Sequence, residues 1–164
     1  DAIHANNIKR VIRALEFYHL SGKRISEHNE KEREKTSPYH FAYFVLTDER
    51  PHLYANIDKR VDLMIEQGLV DEVQKLKNMG FHRDMVSMQG LGYKEILDYL
   101  DGKTTLEEAI YIIKRETRHF AKRQLTWFRR ERDVIWLDKQ AYDYQDAKIL
   151  DSMINILKEK TIIN

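Results

Sequence analysis

The densest run of positive charge in the chain is KRETRHFAKRQLTWFRRER, residues 114–132. Eight of its residues are Lys or Arg and two are Glu, a net charge of +6, whereas the whole chain of 164 residues carries +1. The other residues therefore sum to −5, and the positive charge is a local feature. Such a local excess is typical of a surface that binds a polyanion.

A helical wheel separates the basic and the apolar residues of this run, which we predict to lie on a long helix. At about 100° per residue, five cations share one arc and the large aromatics fall elsewhere. The cations are Lys114, Arg115, Arg118, Lys122 and Arg129, and the aromatics are Phe120, Trp127 and Phe128. We expect the aromatics to anchor the helix to a core. The alternative is a stacking platform for nucleic-acid bases, for which Trp127 near the helix end is best placed.

The cations of this helix have few acidic neighbours in sequence. Within the run only Glu116 and Glu131 could pair with them, whereas a solvated face would alternate cations with acids. An unpaired stripe of like charge repels itself, so we expect RNA or DNA to bind there. Spacing alone does not distinguish contacts to phosphates from contacts to base edges.

A second candidate contact for anions is GLGYKE, residues 90–95, where two glycines precede a predicted helix N-terminus. Glycines let the backbone approach a ligand closely, and the N–H groups of a helix N-terminus attract anions. A plain tight turn fits the same pattern. The segment therefore matters mainly as a second phosphate contact beside the basic helix.

Other kinds of site find little support in the sequence. The phosphate-loop pattern G-x-x-x-x-G-K-[ST] does not occur, cysteine is absent, and the seven histidines show no metal-ligand spacing. No two carboxylates stand out as a catalytic pair. The lack of cysteine fits a cytoplasmic, reducing environment. The longest apolar run, Phe41 to Leu46, is far too short to cross a bilayer, and no signal peptide is visible.

The elements that must position these residues are mainly helices, with two short strands. Periodicity and capping signals predict helices over Ile8–Leu20, from about 48 to 67, and over Val70–Met79, Tyr93–Leu100, Thr105–Arg130 and Ala141–Lys160. Thr105 and Glu108 form the capping box that predicts the start of the longest of these helices. Continuous apolar runs at 39–47 and 134–138 predict strands of a parallel sheet. Residues 23–37 are nearly all polar, which indicates a helix end or a linker. The pattern as a whole predicts a helix-rich α/β fold.

Four stretches of this sequence together resemble the tRNA dimethylallyltransferase (isopentenyltransferase) family. They are HANNIKRVIRALEFY at 4–18, LTDERPHLYANIDKRVDLMIEQGLVDEV at 46–73, MQGLGYKEI at 88–96 and TRHFAKRQLTWFR at 117–129. They occur in the family's order along nearly all of the chain, and the last is the most specific.

The resemblance implies a fold and an activity. The fold is a phosphate-loop-type parallel-sheet core that carries an inserted helical domain. Residues 1–35 would be the end of that insertion, and residues 36–164 the C-terminal part of the core. The activity is transfer of a dimethylallyl group from dimethylallyl diphosphate to N6 of the adenosine beside the anticodon, with Mg²⁺ as cofactor. The implied partner is the anticodon stem-loop of tRNA, and the protein would be a cytoplasmic monomer.

The resemblance also implies which residues contact the substrates. The tRNA-binding residues would be Lys9, Arg10, Arg13, Gln89, Gly90, Leu91, Gly92, Tyr93, Lys94, Arg118 and Lys122. Thr117, Arg123 and Gln124 would lie close to the substrate channel. No catalytic residue and no metal ligand falls within the chain, because the family's phosphate loop and general-base aspartate are expected before Asp1.

One departure concerns the first motif, which usually reads close to HPND and here reads His4-Ala5-Asn6-Asn7. Asn still suits a helix N-cap. Two other classes of function stay open from the residues alone: a non-catalytic nucleic-acid-binding helical module, and a structural domain whose basic face meets an acidic protein. The sequence upstream of Asp1 would discriminate the transferase from these two classes, because a strand followed by a phosphate loop would favour the transferase.

Overall fold

A computed structural model describes His4 and residues 6–164. The chain divides into two compact units, the first ending at Phe41 and the second beginning with Ala42. Ala5, within the first motif, lies outside the described residues.

The first unit contains two helices, α1 (Ile8–Ser21) and α2 (Ile25–Glu34). Helix α1 ends at Gly22, whose φ of 68° is the left-handed conformation that terminates many helices. Two expectations need correction. Most of the predicted linker at 23–37 is helical, and Asn7 precedes α1 without making a side-chain capping hydrogen bond. Neither helix has a buried residue in its own span, so the polar sequence of α2 forms a solvated helix.

The second unit has two strands and five helices. In chain order they are β1 (Tyr43–Thr47), α3 (Arg50–Glu66), α4 (Leu69–Asn78), α5 (Tyr93–Leu100), α6 (Leu106–Phe128), β2 (Val134–Asp138) and α7 (Asp146–Glu159). Short 3-10 turns at Val86–Gln89 and Lys139–Tyr142 precede α5 and α7. The predicted last helix from Ala141 is therefore wrong at its start, since its first residues belong to the 3-10 turn.

The two strands pair in parallel, in a register that places Tyr43 opposite Val134 and Thr47 opposite Asp138. Their connection runs through helices α3 to α6, as parallel pairing requires. The expectation of a helix-rich α/β fold with a parallel sheet is therefore confirmed.

A helical core holds α3, α4, α5 and α6 together. Its buried residues are Val61, Leu69, Val73, Met88, Ile96, Leu97, Ala109 and Ile113. Helix α6 begins at the predicted capping box, in which Thr105 accepts from the Glu108 N–H at 3.1 Å and Glu108 accepts from the Thr105 N–H at 2.9 Å. This core fixes the first half of α6 against α3 and α5, and the second half extends past it towards the sheet.

Candidate nucleic-acid interface

Two acids of α3 pair with two cations of α6. Nη1 of Arg118 lies 2.6 and 2.7 Å from the two carboxylate oxygens of Asp58. Nζ of Lys114 lies 2.6 and 2.8 Å from those of Asp62. Both cationic side chains are largely buried, with 25% and 22% of their surface exposed. The expectation of an unpaired basic stripe is therefore wrong for these two cations.

The acids that pair with these cations lie on a different helix, far from the basic run in sequence. Asp58 and Asp62 are four residues apart on α3, and Lys114 and Arg118 are four residues apart on α6. Because residues at this spacing lie one above the other on a helix face, two antiparallel helices can form a ladder of pairs. The matching spacing is the sequence signal that could have revealed the pairs.

The rest of the basic stripe is more open. Nε of Arg115 lies 2.9 Å from Oε1 of its neighbour Glu116, and Cζ of Arg115 lies 5.9 Å from the ring centre of Tyr111. Lys122 and Arg129 are exposed and make no ion pair within the described part of the chain. One turn beyond Asp58, the residue of α3 is Tyr54, which offers no carboxylate. The ladder therefore stops before Lys122 and leaves its charge available.

The aromatic residues of α6 do not all enter the core, contrary to expectation. Phe128 is half-buried and packs edge-on against Tyr43 of β1, with ring centres 6.1 Å apart. Trp127 is 53% exposed and Phe120 44% exposed. Both lie on the part of α6 that extends past the helical core. Their exposure favours the alternative, a surface on which bases can stack.

The three residues expected near a substrate channel occupy different surroundings on α6. Thr117 is half-buried and its hydroxyl donates to the carbonyl oxygen of Ile113 at 2.7 Å. Arg123 is exposed, with its guanidinium 5.8 Å from the ring centre of Phe120, and Gln124 is exposed. Nothing in the geometry brings these three side chains together, and their role stays a prediction.

The two glycines of the loop before α5 are not equivalent. Gly92 has φ 100° and ψ −52°, which L-residues rarely adopt, whereas Gly90 has φ −60° and ψ 152°, which any residue can adopt. The N–H of Gly92 donates at 2.9 Å to the buried carboxylate of Glu95. This donor is therefore engaged inside the protein and not free for an anion.

The remaining loop residues differ in what they present to solvent. Gln89 and Gly90 are exposed, while Leu91 is half-buried. The phenol of Tyr93 donates to the Glu72 carboxylate, and this hydrogen bond raises the pKa of Tyr93. Nζ of Lys94 lies 3.4 Å from Oε1 of Glu95, and 37% of the Lys94 side chain is exposed. Gln89, Gly90 and Lys94 are thus the loop residues placed to contact a partner.

A cleft of about 270 Å³ lies between the start of α5, which follows this loop, and the basic helix. Lys94 of α5 and both Arg115 and Glu116 of α6 line it. The hydrogen bond from Arg115 is the largest cause that lowers the pKa of Glu116, and the charge of Lys94 contributes. The two segments that the sequence marked separately as anion contacts therefore converge on one surface.

An ion pair also lines the cleft. Arg83 pairs there with Asp98, which lies one turn after Lys94 on α5, and their hydrogen bond is the main cause that lowers the pKa of Asp98. The hydroxyl of Thr104 lines the same cleft, and its oxygen is buried without a hydrogen-bond partner. Charged and polar groups thus line the cleft together with the apolar side chains of Ala109 and Ile112.

The cations expected to bind tRNA in the first unit lie on α1. Lys9, Arg10 and Arg13 are all exposed, and none makes an ion pair among the described residues. The apolar residues Ile8 and Leu15 of the same helix are also exposed, by 67% and 55%. These cations are free to contact a partner, and their role in binding stays a prediction.

No group of three or more His, Cys, Asp or Glu residues in the described part could hold a metal ion. We derive no step through Mg²⁺. None of the described helices is both long and apolar enough to cross a membrane.

The chain is thus a helix-rich α/β protein in which residues of the basic helix α6 and of the short helix α5 line one cleft. The sequence model of the family described as IPP transferase matches residues 1–131. The chain therefore belongs to the IPP transferase family.

Similar proteins agree with this assignment. A tRNA dimethylallyltransferase of Lachnoclostridium phytofermentans is 61% identical over 99% of this chain, which covers 52% of that relative. The crystal structure of a full-length tRNA isopentenylpyrophosphate transferase from Bacillus halodurans matches 97% of this chain and 48% of its own, with a TM-score of 0.70 and 46% identity. A eukaryotic dimethylallyltransferase, solved in snapshots of its action on tRNA, matches 83% of this chain and 36% of its own, with a TM-score of 0.67 and 31% identity. The chain spans about half the length of the curated relatives it matches.

Proposed function

We propose that this chain is the tRNA-binding half of a tRNA dimethylallyltransferase. The whole enzyme would transfer a dimethylallyl group from dimethylallyl diphosphate to N6 of the adenosine next to the anticodon. The similarity to the Lachnoclostridium protein of that name, 61% identity over 163 residues, supports the activity. Because the match covers about half of that relative, we assign only a part of the enzyme's function to this chain.

The reaction divides naturally between two sets of groups. A bond forms between N6 and the first carbon of the dimethylallyl group, the bond from that carbon to the diphosphate oxygen breaks, and N6 loses a proton to a base. We assign neither the base nor the diphosphate cradle to a residue of this chain. An adenosine in an anticodon loop must leave its stack before N6 can react, and we assign the holding of the distorted loop to this chain.

The observation that carries the proposal is that Lys94 and Arg115 line one cleft. Lys122, about two turns further along α6, is exposed and makes no ion pair in the described part of the chain. Cations on two elements can hold successive phosphates of a bent RNA strand, and the exposed ring of Trp127 can stack on a base. Of the expected tRNA contacts, we retain Gln89, Gly90, Lys94, Arg118 and Lys122 as direct ones. Leu91, Gly92 and Tyr93 would shape the loop that presents them.

We further propose that residues 1–35 end an inserted helical domain that contacts tRNA through Lys9, Arg10 and Arg13. Residues 36–164 would be the C-terminal part of the transferase core. The division of the chain after Phe41 supports a boundary in this region. The protein would act in the cytoplasm as a monomer, and the whole enzyme would use Mg²⁺ as its cofactor.

Two assays on the 164-residue chain test this proposal. The chain should bind an unmodified anticodon stem-loop RNA more tightly than a hairpin with the same stem and a shuffled loop. It should not incorporate label from labelled dimethylallyl diphosphate into tRNA, because the sequence has no phosphate loop. Equal binding of the two hairpins would favour a non-catalytic module that binds nucleic acid through charge alone, and label in the RNA would contradict the division of work.

A further inference from the structure

The pair between Arg118 and Asp58 uses only one edge of the guanidinium. Both oxygens of Asp58 accept from the same nitrogen, Nη1, at 2.6 and 2.7 Å. A guanidinium carries five N–H donors, so the three on Nε and Nη2 are not engaged by Asp58. Among the described residues, the only buried side-chain nitrogen or oxygen atom without a partner is Oγ1 of Thr104. Unpaired donors of Arg118 are therefore open to solvent.

The neighbouring pair of the ladder differs in kind. Nζ of Lys114 contacts both oxygens of Asp62, but an ammonium group is a point charge whose three donors are equivalent by rotation. The carboxylate of Asp62 therefore neutralises the charge of Lys114 but does not orient a planar group, because an ammonium group has no plane. Asp58, in contrast, holds one corner of a rigid planar group and thereby fixes the direction of its other edge.

We propose that Asp58 is a positioning residue, which holds Arg118 so that its Nε and Nη2 edge can bind phosphate oxygens. This inference rests on the proposed function, since it concerns the same surface. The Nε and Nη2 donors form a fork that matches two oxygens of a phosphate. Both the RNA backbone and the diphosphate of the prenyl donor carry such oxygens.

The opposite reading is that Asp58 merely competes with phosphate for Arg118. A competitor would be expected to occupy the fork, but Asp58 contacts Nη1 alone. The surroundings support a fixed orientation as well, because only 25% of the Arg118 side chain and 35% of the Asp58 side chain are exposed. Removing Asp58 should thus weaken phosphate binding even though it removes a negative charge from a surface that binds anions.

The test compares wild-type protein with Asp58→Asn and with Asp62→Asn, the charge-matched control one turn away on α3. Binding of an unmodified anticodon stem-loop RNA and of inorganic pyrophosphate is measured for each. Asp58→Asn should weaken binding about tenfold, roughly the loss of one well-oriented charged hydrogen bond. Asp62→Asn should leave binding unchanged or strengthen it. Weakening with RNA assigns the fork to the RNA backbone, and weakening with pyrophosphate assigns it to the prenyl donor.

A double-mutant cycle separates positioning from a general loss of structure. In an Arg118→Lys background the fork is gone, so Asp58→Asn should no longer weaken binding; urea unfolding confirms that all variants are folded. Equal or tighter binding by Asp58→Asn overturns the positioning role and leaves the proposed function intact. The same weakening in both backgrounds also overturns it. Failure of the wild-type protein to bind either probe overturns the proposed function together with this inference.

Discussion

Arg118 on α6 donates through a single nitrogen to both carboxylate oxygens of Asp58 on α3, sixty residues earlier in the chain. The first cation of the family-like TR-x-x-A-K-R-Q segment is thus paired inside the protein, while Lys122 one turn later has no ion pair in the described part. The two residues should therefore respond differently to substitution. Arg118 acts through geometry, and Lys122 acts as a free charge.

The conformation of Gly92 leads to a prediction about stability. Gly92→Ala should destabilise the fold by about 1–3 kcal/mol, because a side chain at φ 100° is strained. The strain alone is responsible, since an added Cβ would make only an ordinary contact with Leu69 at 3.7 Å. Gly90→Ala is the matched control and should unfold like the wild type in urea. Equal stability of the two variants would contradict this account of the loop.

The exposure of Trp127 leads to a prediction about binding. Trp127→Ala should weaken binding of the anticodon stem-loop by about 1–3 kcal/mol, the contribution of one stacked base, with little change in thermal unfolding. Phe128→Ala is the contrast, because that half-buried ring packs on Tyr43 and its loss should lower stability. In a Trp136→Phe background Trp127 is the only tryptophan, and its fluorescence should change when RNA binds. A large loss of stability with unchanged RNA affinity in Trp127→Ala would contradict base stacking and show that Trp127 belongs to the core.

The ion pair between Arg83 and Asp98 in the cleft predicts a dependence of stability on pH. The Arg83 guanidinium, by its hydrogen bond, and to a lesser extent Lys103 lower the pKa of Asp98, while desolvation acts in the opposite direction. A lowered pKa in the folded state means that the stabilisation is fully present above the unfolded-state pKa of about 3.9. It is lost as the pH falls through the folded-state pKa.

Urea unfolding at a series of pH values checks this prediction. The difference in unfolding free energy between wild type and Asp98→Asn should be constant near neutral pH and shrink below about pH 4. Asp151→Asn is the control, because the Asp151 side chain is exposed and makes no ion pair in the described part. A difference that does not vary with pH would show that Asp98 contributes nothing through its charge.

Local elements were largely predictable from the sequence, because their signals lie in neighbouring residues. Helix α5 at Tyr93–Leu100 and strand β2 at Val134–Asp138 have the predicted bounds, and the Thr105–Glu108 capping box starts α6 as expected. Helix α2 was missed because its sequence is polar all round and shows no apolar stripe.

The surroundings of the candidate site were less predictable, since they depend on contacts between distant segments. A helical wheel shows which residues share a face, but it does not show what packs against that face. The wheel therefore predicts that Arg118 lies on the basic side of α6, but it does not show that Asp58 pairs with it. It also predicts that Trp127 lies on the apolar side, but at this position α6 extends beyond the core and the side chain is exposed. The family resemblance gave the candidate residues, and the tertiary contacts distinguish those that face solvent from those that shape the loop.

The central claim is that α6 presents its free cations to the phosphates of an anticodon stem-loop, and Lys122 tests it most directly. The affinity of the chain for the unmodified stem-loop is measured over a range of salt concentrations for wild type, Lys122→Ala and Lys158→Ala. Lys158 is also exposed but lies on α7. Because each phosphate contact releases counterions, Lys122→Ala should flatten the slope of log affinity against log salt by about 1, and Lys158→Ala should not change it. A Lys122→Ala protein with wild-type affinity and slope would remove this face of α6 from the RNA interface and contradict the account.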